Sequence, residues 1–423
     1  YGDHRDLHSF PTTLFRSTQA GVIDILKRKN INFRSYYVAN MIAADEAPLD
    51  VLEKIAELED ITLIHSNAEV DIDLEKPDIE QPIDLYDFTA NDVEFNVKFI
   101  NATYIWGKGF NGEGVTLANC DTGVDYTHPA LVQNYRGNLG SGKFEHNYNW
   151  YDPTSAKSRV PVDQNSHGTH TCGTSVGGVD RKIGISPGSK WIACRSIGAG
   201  TRAETFLACL QFFLAPHDLD GKNPRPELRP VTSGHSYGCR SGREPCKHEA
   251  WKIAINALRA SGQIIVASAG NAGPRCQTVR GPPGKLDTVF TVAALSKETS
   301  GSHVITSFSS RGPSLEESKR RPDIAASGQN VVSSVPGKRY ASYSGTSMSC
   351  PAVNGAVALL WSSLPELKGK VELTQEIFQK TAYGQKDGTC DSGVAKSPNN
   401  VYGYGTINLG LAYEYAKKLL RKN

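Results

Sequence analysis

Asp121 directly follows an apolar run in GVTLANCDTGVDYTHP, His167 opens a helical pattern in NSHGTHTCGT, and Ser347 opens another in SGTSMSCPAVNGAVALL. Taken alone, each has a structural reading. Asp-Thr-Gly is turn chemistry, and a serine ahead of a helix is a cap. His167, with His170 three residues on, reads as a core polar pair or as two metal ligands. No HExxH companion or carboxylate at ligand spacing supports a metal. Together the three residues suit one chemistry. A serine hydroxyl is a poor nucleophile at neutral pH and needs a base that removes its proton as it attacks. Histidine serves because its ordinary pKa is about 6.5, and a buried aspartate fixes the imidazole tautomer and stabilises the imidazolium. Asp, His, Ser is one of three chain orders in which that constellation occurs. A fourth group is expected, a donor for the oxyanion of the tetrahedral intermediate. Asn271, in VASAGNAGP, has an amide suited to it; removing such a donor costs about 3–4 kcal/mol of transition-state stabilisation.

The elements that must hold these residues are outlined by the apolar pattern. Strands are expected at 114–120, 190–197, 230–236, 263–270 and 288–295. Helices are expected in THTCGTSVGG, ETFLACLQFFLA, HEAWKIAINALRASG and PAVNGAVALLWSS. Strand–helix alternation implies a mostly parallel sheet covered on both faces. In such sheets ligands bind where strand carboxyl ends meet helix N-termini, which is where Asp121, His167 and Ser347 fall. Upstream, residues 17–30 read as a helix capped by Ser17, 31–43 as strand, and 61–66 as a second strand. Between the strands, Leu49, Leu52, Ile55, Ala56 and Leu58 recur at helical spacing. This small α+β unit of roughly 75 residues is marginal as an independent core. EKPDIEQPIDLYDFTAND, with its two prolines, follows as a linker.

Composition bounds the partners. A chain of 423 residues with 39% hydrophobic and 21% charged residues is an ordinary globular protein, long enough for two or three domains. No apolar stretch approaches the ~18 residues of a membrane span, and the net charge of +2 suggests no nucleic-acid partner. That charge is unevenly spread. Residues 41–90 hold 15 Asp and Glu against 2 Lys and Arg, so the first 90 residues carry −10 and leave +12 for the remainder. Opposite charge steers two surfaces together. A solvated acidic linker accounts for part of the run, from Asp71 to Asp87. The chain starts at Tyr1 rather than Met, so removal of an upstream segment is expected. Of nine cysteines, Cys120, Cys172, Cys194, Cys209 and Cys350 lie in apolar contexts and read as small buried hydrophobes. Cys239, Cys246, Cys276 and Cys390 lie in polar loops and are the better disulfide candidates. With the sequon Asn101-Ala102-Thr103, they favour an extracellular or secretory-pathway protein.

DTGVDYTHP, HGTHTCGT, ASAGN and SGTSMSCP resemble the four signature blocks of the subtilisin-like serine proteases, in that family's order. Within the family, IGISPGSKWIACRSIG and ETFLACLQFFLAPHDLDGKNP resemble bacillopeptidase F-type members, and the N-terminal unit is similar to a subtilase propeptide. The resemblance implies a three-layer α/β/α fold with a mostly parallel sheet, preceded by a small α+β, ferredoxin-like prodomain. It implies prodomain 1–75, a linker with the processing site at 76–92, and a peptidase domain 93–423. Asp121, His167 and Ser347 would be the triad and Asn271 the oxyanion donor of a serine endopeptidase. The prodomain would act as an intramolecular inhibitor, removed by self-cleavage within residues 72–92. Substrate would bind as an added extended strand. Ser236-Tyr237-Gly238 matches the family's Ser-x-Gly segment, which lines the primary specificity pocket opposite Ala269-Gly270, and Gly198-Ala199-Gly200 would form the second rail. The plain alternative is that these glycines only form tight turns. His235 stands where related sequences often show Asn. The family's usual calcium site is not carried over, because Ala130 follows His128-Pro129 and the loop after the His helix is the short GGVDRKIG. No metal and no other cofactor is expected.

Two other readings use the same residues. Asp391-Ser392-Gly393 could pair with Asp121-Thr122-Gly123 in an aspartic protease. That leaves His167, Ser347 and Asn271 unused. A non-catalytic protein of the same fold is the other, although such proteins usually lack a member of the triad.

Overall fold

The computed structural model describes residues 12–74, 92–178, 182–239, 249–296, 303–314 and 319–421, without the side chains of residues 12–17 and Asp73. At the N-terminus, helix α1 (Thr12–Arg28) precedes a short antiparallel hairpin, β1 (Phe33–Tyr36) and β2 (Met41–Ala44), and helix α2 (Leu49–Ala56). Val22, Leu26, Val51 and Ile55 form the small core between the two helices. The pattern at 31–43 is thus two strands, bent where Asn40 takes a positive φ of 46°. Residues 61–66 form no strand: they pair with nothing in a ladder, and Leu63 and Ile64 are exposed. Their apolar composition has no partner edge, and a cavity of about 490 Å³ lies between this segment, α1 and β2. A two-residue strand, β3 (Ile72–Asp73), ends the described part of the unit. The expected linker falls almost wholly outside the described residues.

Two short helices, α3 (Phe95–Phe99) and α4 (Ala102–Trp106), lead into β4 (Thr116–Asp121). Helix α5 (Pro129–Val132), the hairpin β5 (Asn138–Gly140) and β6 (Lys143–Phe144), and β7 (Trp150–Tyr151) follow. Then come α6 (His167–Val176), β8 (Lys190–Arg195), α7 (Ala203–Leu214), β9 (Thr232–His235), β10 (Gly238–Cys239) and α8 (Glu249–Ala260). Strands β11 (Ile264–Ser268), β12 (Phe290–Leu295) and β13 (Ile324–Ser327) precede a hairpin, β14 (Val331–Val335) and β15 (Arg339–Tyr343). Helices α9 (Thr346–Ser363), α10 (Val371–Thr381) and α11 (Leu409–Leu420) complete the chain.

Seven strands form one parallel sheet in the order β13-β12-β11-β9-β4-β8-β7. Their side chains alternate between two buried faces, as the period of two requires. Ile264 and Val266 of β11 pack with α9, whereas Ile265 and Ala267 pack with α7 and α8. The result is a three-layer α/β/α sandwich. Strand β4 is the topological switch, with β8 on one side and β9 on the other, and ligands bind at such points beyond the strand carboxyl ends. Helix α9 runs through the interior, buried on every side. Its approach to α6 depends on Gly355, where a Cβ would meet the Ser175 carbonyl at 2.8 Å.

The cysteines correct one expectation. Cys194 and Cys209, read as buried hydrophobes, are bridged, with Cα atoms 5.5 Å apart. Packing of α7 against β8 brings them together, which no local pattern reveals. Cys276 and Cys390 are bridged as expected, Cys239 is disulfide-bonded, and Cys246 lies outside the described residues. Cys120, Cys172 and Cys350 are buried thiols outside the disulfides. The Cys276–Cys390 bridge closes a span of 114 residues. Replacing both residues by serine is predicted to cost about 2–4 kcal/mol, read as a lower denaturant midpoint in non-reducing urea unfolding.

Candidate active site

Asp121 is the last residue of β4, and His167 is the first of α6. The two side chains are fully buried, with Asp121 Oδ1 2.7 Å from His167 Nδ1. A carboxylate only accepts at this position, so Nδ1 carries the proton and Nε2 is left with its basic lone pair. Oδ1 also accepts the Thr122 amide at 2.7 Å, and the Thr171 hydroxyl, whose one proton faces Asn119 Oδ1 and the Gly168 carbonyl at 3.1 Å, lies 3.3 Å from Oδ2. Such donors offset the desolvation of a buried charge. The approach of helix to strand requires Gly168, where a Cβ would lie 2.1 Å from the Gly123 carbonyl. Asp163 locks the same junction. One carboxylate oxygen accepts from Thr122 Oγ1 and the amides of Asn165 and Ser166; the other accepts from the Thr169 amide and hydroxyl. His170 has a different task. Its Nε2 lies 3.0 and 3.1 Å from the carbonyls of Val331 and Ala341, and its ring stacks on Tyr343, so it ties α6 to the β14–β15 hairpin.

Ser347 lies in the first turn of α9, next to Thr346. Its hydroxyl donates to the Ser236 carbonyl at 3.0 Å, a bond that holds it at the end of β9. Asn271 follows β11 and is oriented by α9. Its Oδ1 accepts from the Thr346 amide at 2.9 Å and the Thr346 hydroxyl at 3.0 Å, which turns Nδ2 the other way. Asn271 and Ser347 line one cavity of about 330 Å³. Tyr237, Gly238, Ala269 and Gly270, named from the sequence, line it as well. Ser236 contributes its carbonyl to Ser347, while Gly198 and Gly200 lie elsewhere, in the loop before α7. Ser349 lies within the helix and donates to the Thr346 carbonyl; Gly345 is at the cap position.

The loop before α7 meets the N-terminal unit. Val70 donates its amide to the Thr201 carbonyl at 3.0 Å, Glu69 bridges Arg202, and β3 pairs antiparallel with β10, Ile72 opposite Cys239 and Asp73 opposite Gly238. Residues 69–73 therefore run between two backbone edges, 201–202 and 238–239. On the first edge the pairing residues lie just beyond Gly200, whereas on the second Gly238, named from the sequence, itself pairs with Asp73. A charged contact supports the docking: Arg34 bonds both Asp45 and the 9%-exposed Glu204 carboxylate of α7. Its polarity is the reverse of the overall charge contrast, a basic group of the N-terminal unit meeting an acid of the body.

The neighbouring residues have structural explanations. His235 is not a pocket residue. It is buried between Ser233 Oγ at 2.9 Å and Tyr237 Oη at 2.8 Å, and so supports the pocket wall from behind. Burial pushes the Cys120 thiol up to about 12 and Cys172 well above its usual range, so neither supplies a thiolate nucleophile. Asp391 accepts from Asn400 and pairs with Lys396 in a loop, which accounts for its carboxylate without Asp121. Ala130 is the buried partner of the His128 side chain, which caps α5. Among the described residues no group of three or more His, Cys, Asp or Glu could hold a metal ion. Sequence reasoning missed Thr171, Asp163 and Thr346, which act through neighbours. It also missed Arg275 and Arg280, which line the cavity and stand in plain view after ASAGN.

Burial pushes His235 down to about 3. The unfolded chain, with an ordinary histidine near pH ~6.5, therefore binds this proton where the folded one does not. Stability from this group is complete above pH ~6.5 and is lost as pH falls toward 3. A His235→Asn variant is predicted to show a shallower loss of unfolding free energy between those values, measured by urea titration at several pH values.

The model of the subtilase family matches residues 112–405. Bacillopeptidase F of Bacillus subtilis (strain 168) is 34% identical over 385 residues, covering 88% of this chain and 26% of that protein. The thermophilic serine proteinase of Bacillus sp. (strain AK1) is 29% identical over 282 residues, 65% of this chain and 58% of that one. Subtilisin DY of Bacillus licheniformis is 29% identical over 293 residues, 66% of this chain and 88% of that one. The chain thus spans about a quarter of Bacillopeptidase F and less than two thirds of the thermophilic proteinase. With a seven-stranded parallel sheet between helical layers and the match across its body, the chain belongs to the subtilase family.

Proposed function

We propose that the chain is a serine endopeptidase that hydrolyses peptide bonds through an acyl-enzyme. The observation that carries this reading is the buried 2.7 Å bond from His167 Nδ1 to Asp121 at the carboxyl end of β4, and beside it stands the cavity that Ser347 and Asn271 share. Ser347 Oγ attacks the scissile carbonyl as His167 Nε2 takes its proton. Asn271 Nδ2 donates to the oxyanion, and the N-terminus of α9 favours the same negative charge. The imidazolium returns the proton to the leaving amine as the C–N bond breaks. Water, deprotonated by His167, then releases the acyl group and restores Ser347. No metal or other cofactor enters these steps.

The substrate is a peptide bound as an extended strand. Supporting this, residues 69–73 already occupy such a path between edges 201–202 and 238–239. The same contacts support a role for the N-terminal unit as an inhibitor in a zymogen, with self-cleavage within residues 72–92. Bridged cysteines suit an extracellular or secretory-pathway protein, and among the described residues no helix is long and apolar enough to cross a membrane.

A fluorophosphonate should label the native protein and leave Ser347→Ala unlabelled. Casein cleavage should fall at least about 10,000-fold in that variant and about 100- to 1,000-fold in Asn271→Ala. An unlabelled, inactive native protein would favour a binding role, and acid-optimal cleavage blocked by pepstatin an aspartic one. N-terminal mapping of the active protein should find a new terminus within 72–92; full activity in a single intact chain would contradict the zymogen reading.

A further inference from the structure

The cavity beside Ser347 is electrostatically one-sided. Backbone and small side chains make most of its wall, and among the described residues the charged ones that line it are Arg275 and Arg280. Both sit on the segment that follows Asn271, and that segment is firmly held. Cys276 is bridged to Cys390, and the buried Thr278 hydroxyl donates to the Arg275 carbonyl at 2.9 Å and accepts from the Arg311 amide at 2.9 Å. Arg280 Nε donates to the Gln277 carbonyl, which orients its guanidinium. Gly281 lies against β10, where a Cβ would sit 2.1 Å from the Cys239 carbonyl. Among the described residues neither guanidinium has a carboxylate partner.

Two like charges lining one cavity, with no carboxylate beside them among the described residues, favour an anion there and disfavour a cation. Guanidinium is the group best matched to a carboxylate, which it can hold through paired N–H donors. An uncharged side chain of the same size would leave those donors without an anionic partner. The chain's own sequence points the same way: the strand paired along 238–239 ends at Asp73, and Glu75 stands two residues further on.

We propose that Arg275 and Arg280 make this cavity selective for an acidic side chain, glutamate before aspartate, on the amino side of the cleaved bond. The proposal rests on the serine endopeptidase reading. It is tested with the active protein prepared from the full chain, on peptides that differ only in Glu, Gln, Phe or Lys at that position, with fluorophosphonate labelling run in parallel. The Glu peptide should exceed its neutral isostere, the Gln peptide, by about tenfold or more in kcat/KM, with Lys poorest and the Glu preference shrinking as ionic strength rises. In Arg275→Gln/Arg280→Gln the Glu-to-Gln ratio should fall to near one. Arg280→Glu should raise cleavage of the Lys peptide relative to the Glu peptide, a gain that misfolding does not produce. A labelled native protein that cleaves Gln or Phe peptides as well as Glu, or an unchanged Glu-to-Gln ratio in the double variant, overturns the proposal and leaves the protease reading intact. A native protein that neither labels nor cleaves any of the peptides overturns both.

Discussion

Everything at this site depends on keeping one carboxylate, that of Asp121, out of water. A buried charge is costly unless donors surround it, and the protein supplies them from both sides. Thr122 donates from the strand end and His167 from α6. That arrangement needs the helix almost in contact with the strand, which is why residue 168 has no room for a side chain. It also needs the helix start held in register, the task of Asp163 and its five donors. The fold places β4 at the switch point and α9 through the interior. As a result Asp121 and His167 lie at the carboxyl end of β4, and Ser347 and Asn271 share one cavity where α9 begins and β11 ends.

Much of this is legible in the sequence. Strands such as GVTLANC and QIIVASAG are apolar runs of strand length ending in turn residues, because they are buried on both faces. The site residues were readable because each sits where a strand ends or a helix begins. What escaped the pattern escaped for physical reasons. Strand β7 is two residues long and β13 is the small-residue run IAAS, so neither carries a periodic signal. Ile61–Ser66 has the composition of a strand but no neighbouring edge to pair with. The Cys194–Cys209 bridge depends on a tertiary contact between α7 and β8. Thr171, Asp163 and Thr346 are ordinary helix-start residues in sequence, and only their partners give them meaning.

The N-terminal unit shows how far net charge can be trusted. An acidic piece beside a basic body predicts attraction, which acts over long range. The contact itself is specified otherwise, by Arg34 forked between Asp45 and Glu204 and by the backbone ladder of residues 69–73. Steering and register are separate properties, and here they use different residues. The ladder also lies beside the cavity that Arg275 and Arg280 line, since Gly238 and Cys239 belong to both.

The central claim is that Asp121 sets His167 as the base for Ser347. The most direct measurement is the second-order rate of fluorophosphonate labelling, with the modified residue identified by peptide mapping, in the native protein and in Asp121→Asn. The account predicts labelling at Ser347 and a rate lower by about 10,000-fold in the variant, whose amide favours the wrong tautomer. Labelling at another residue, or a variant that reacts at close to the native rate, would contradict it.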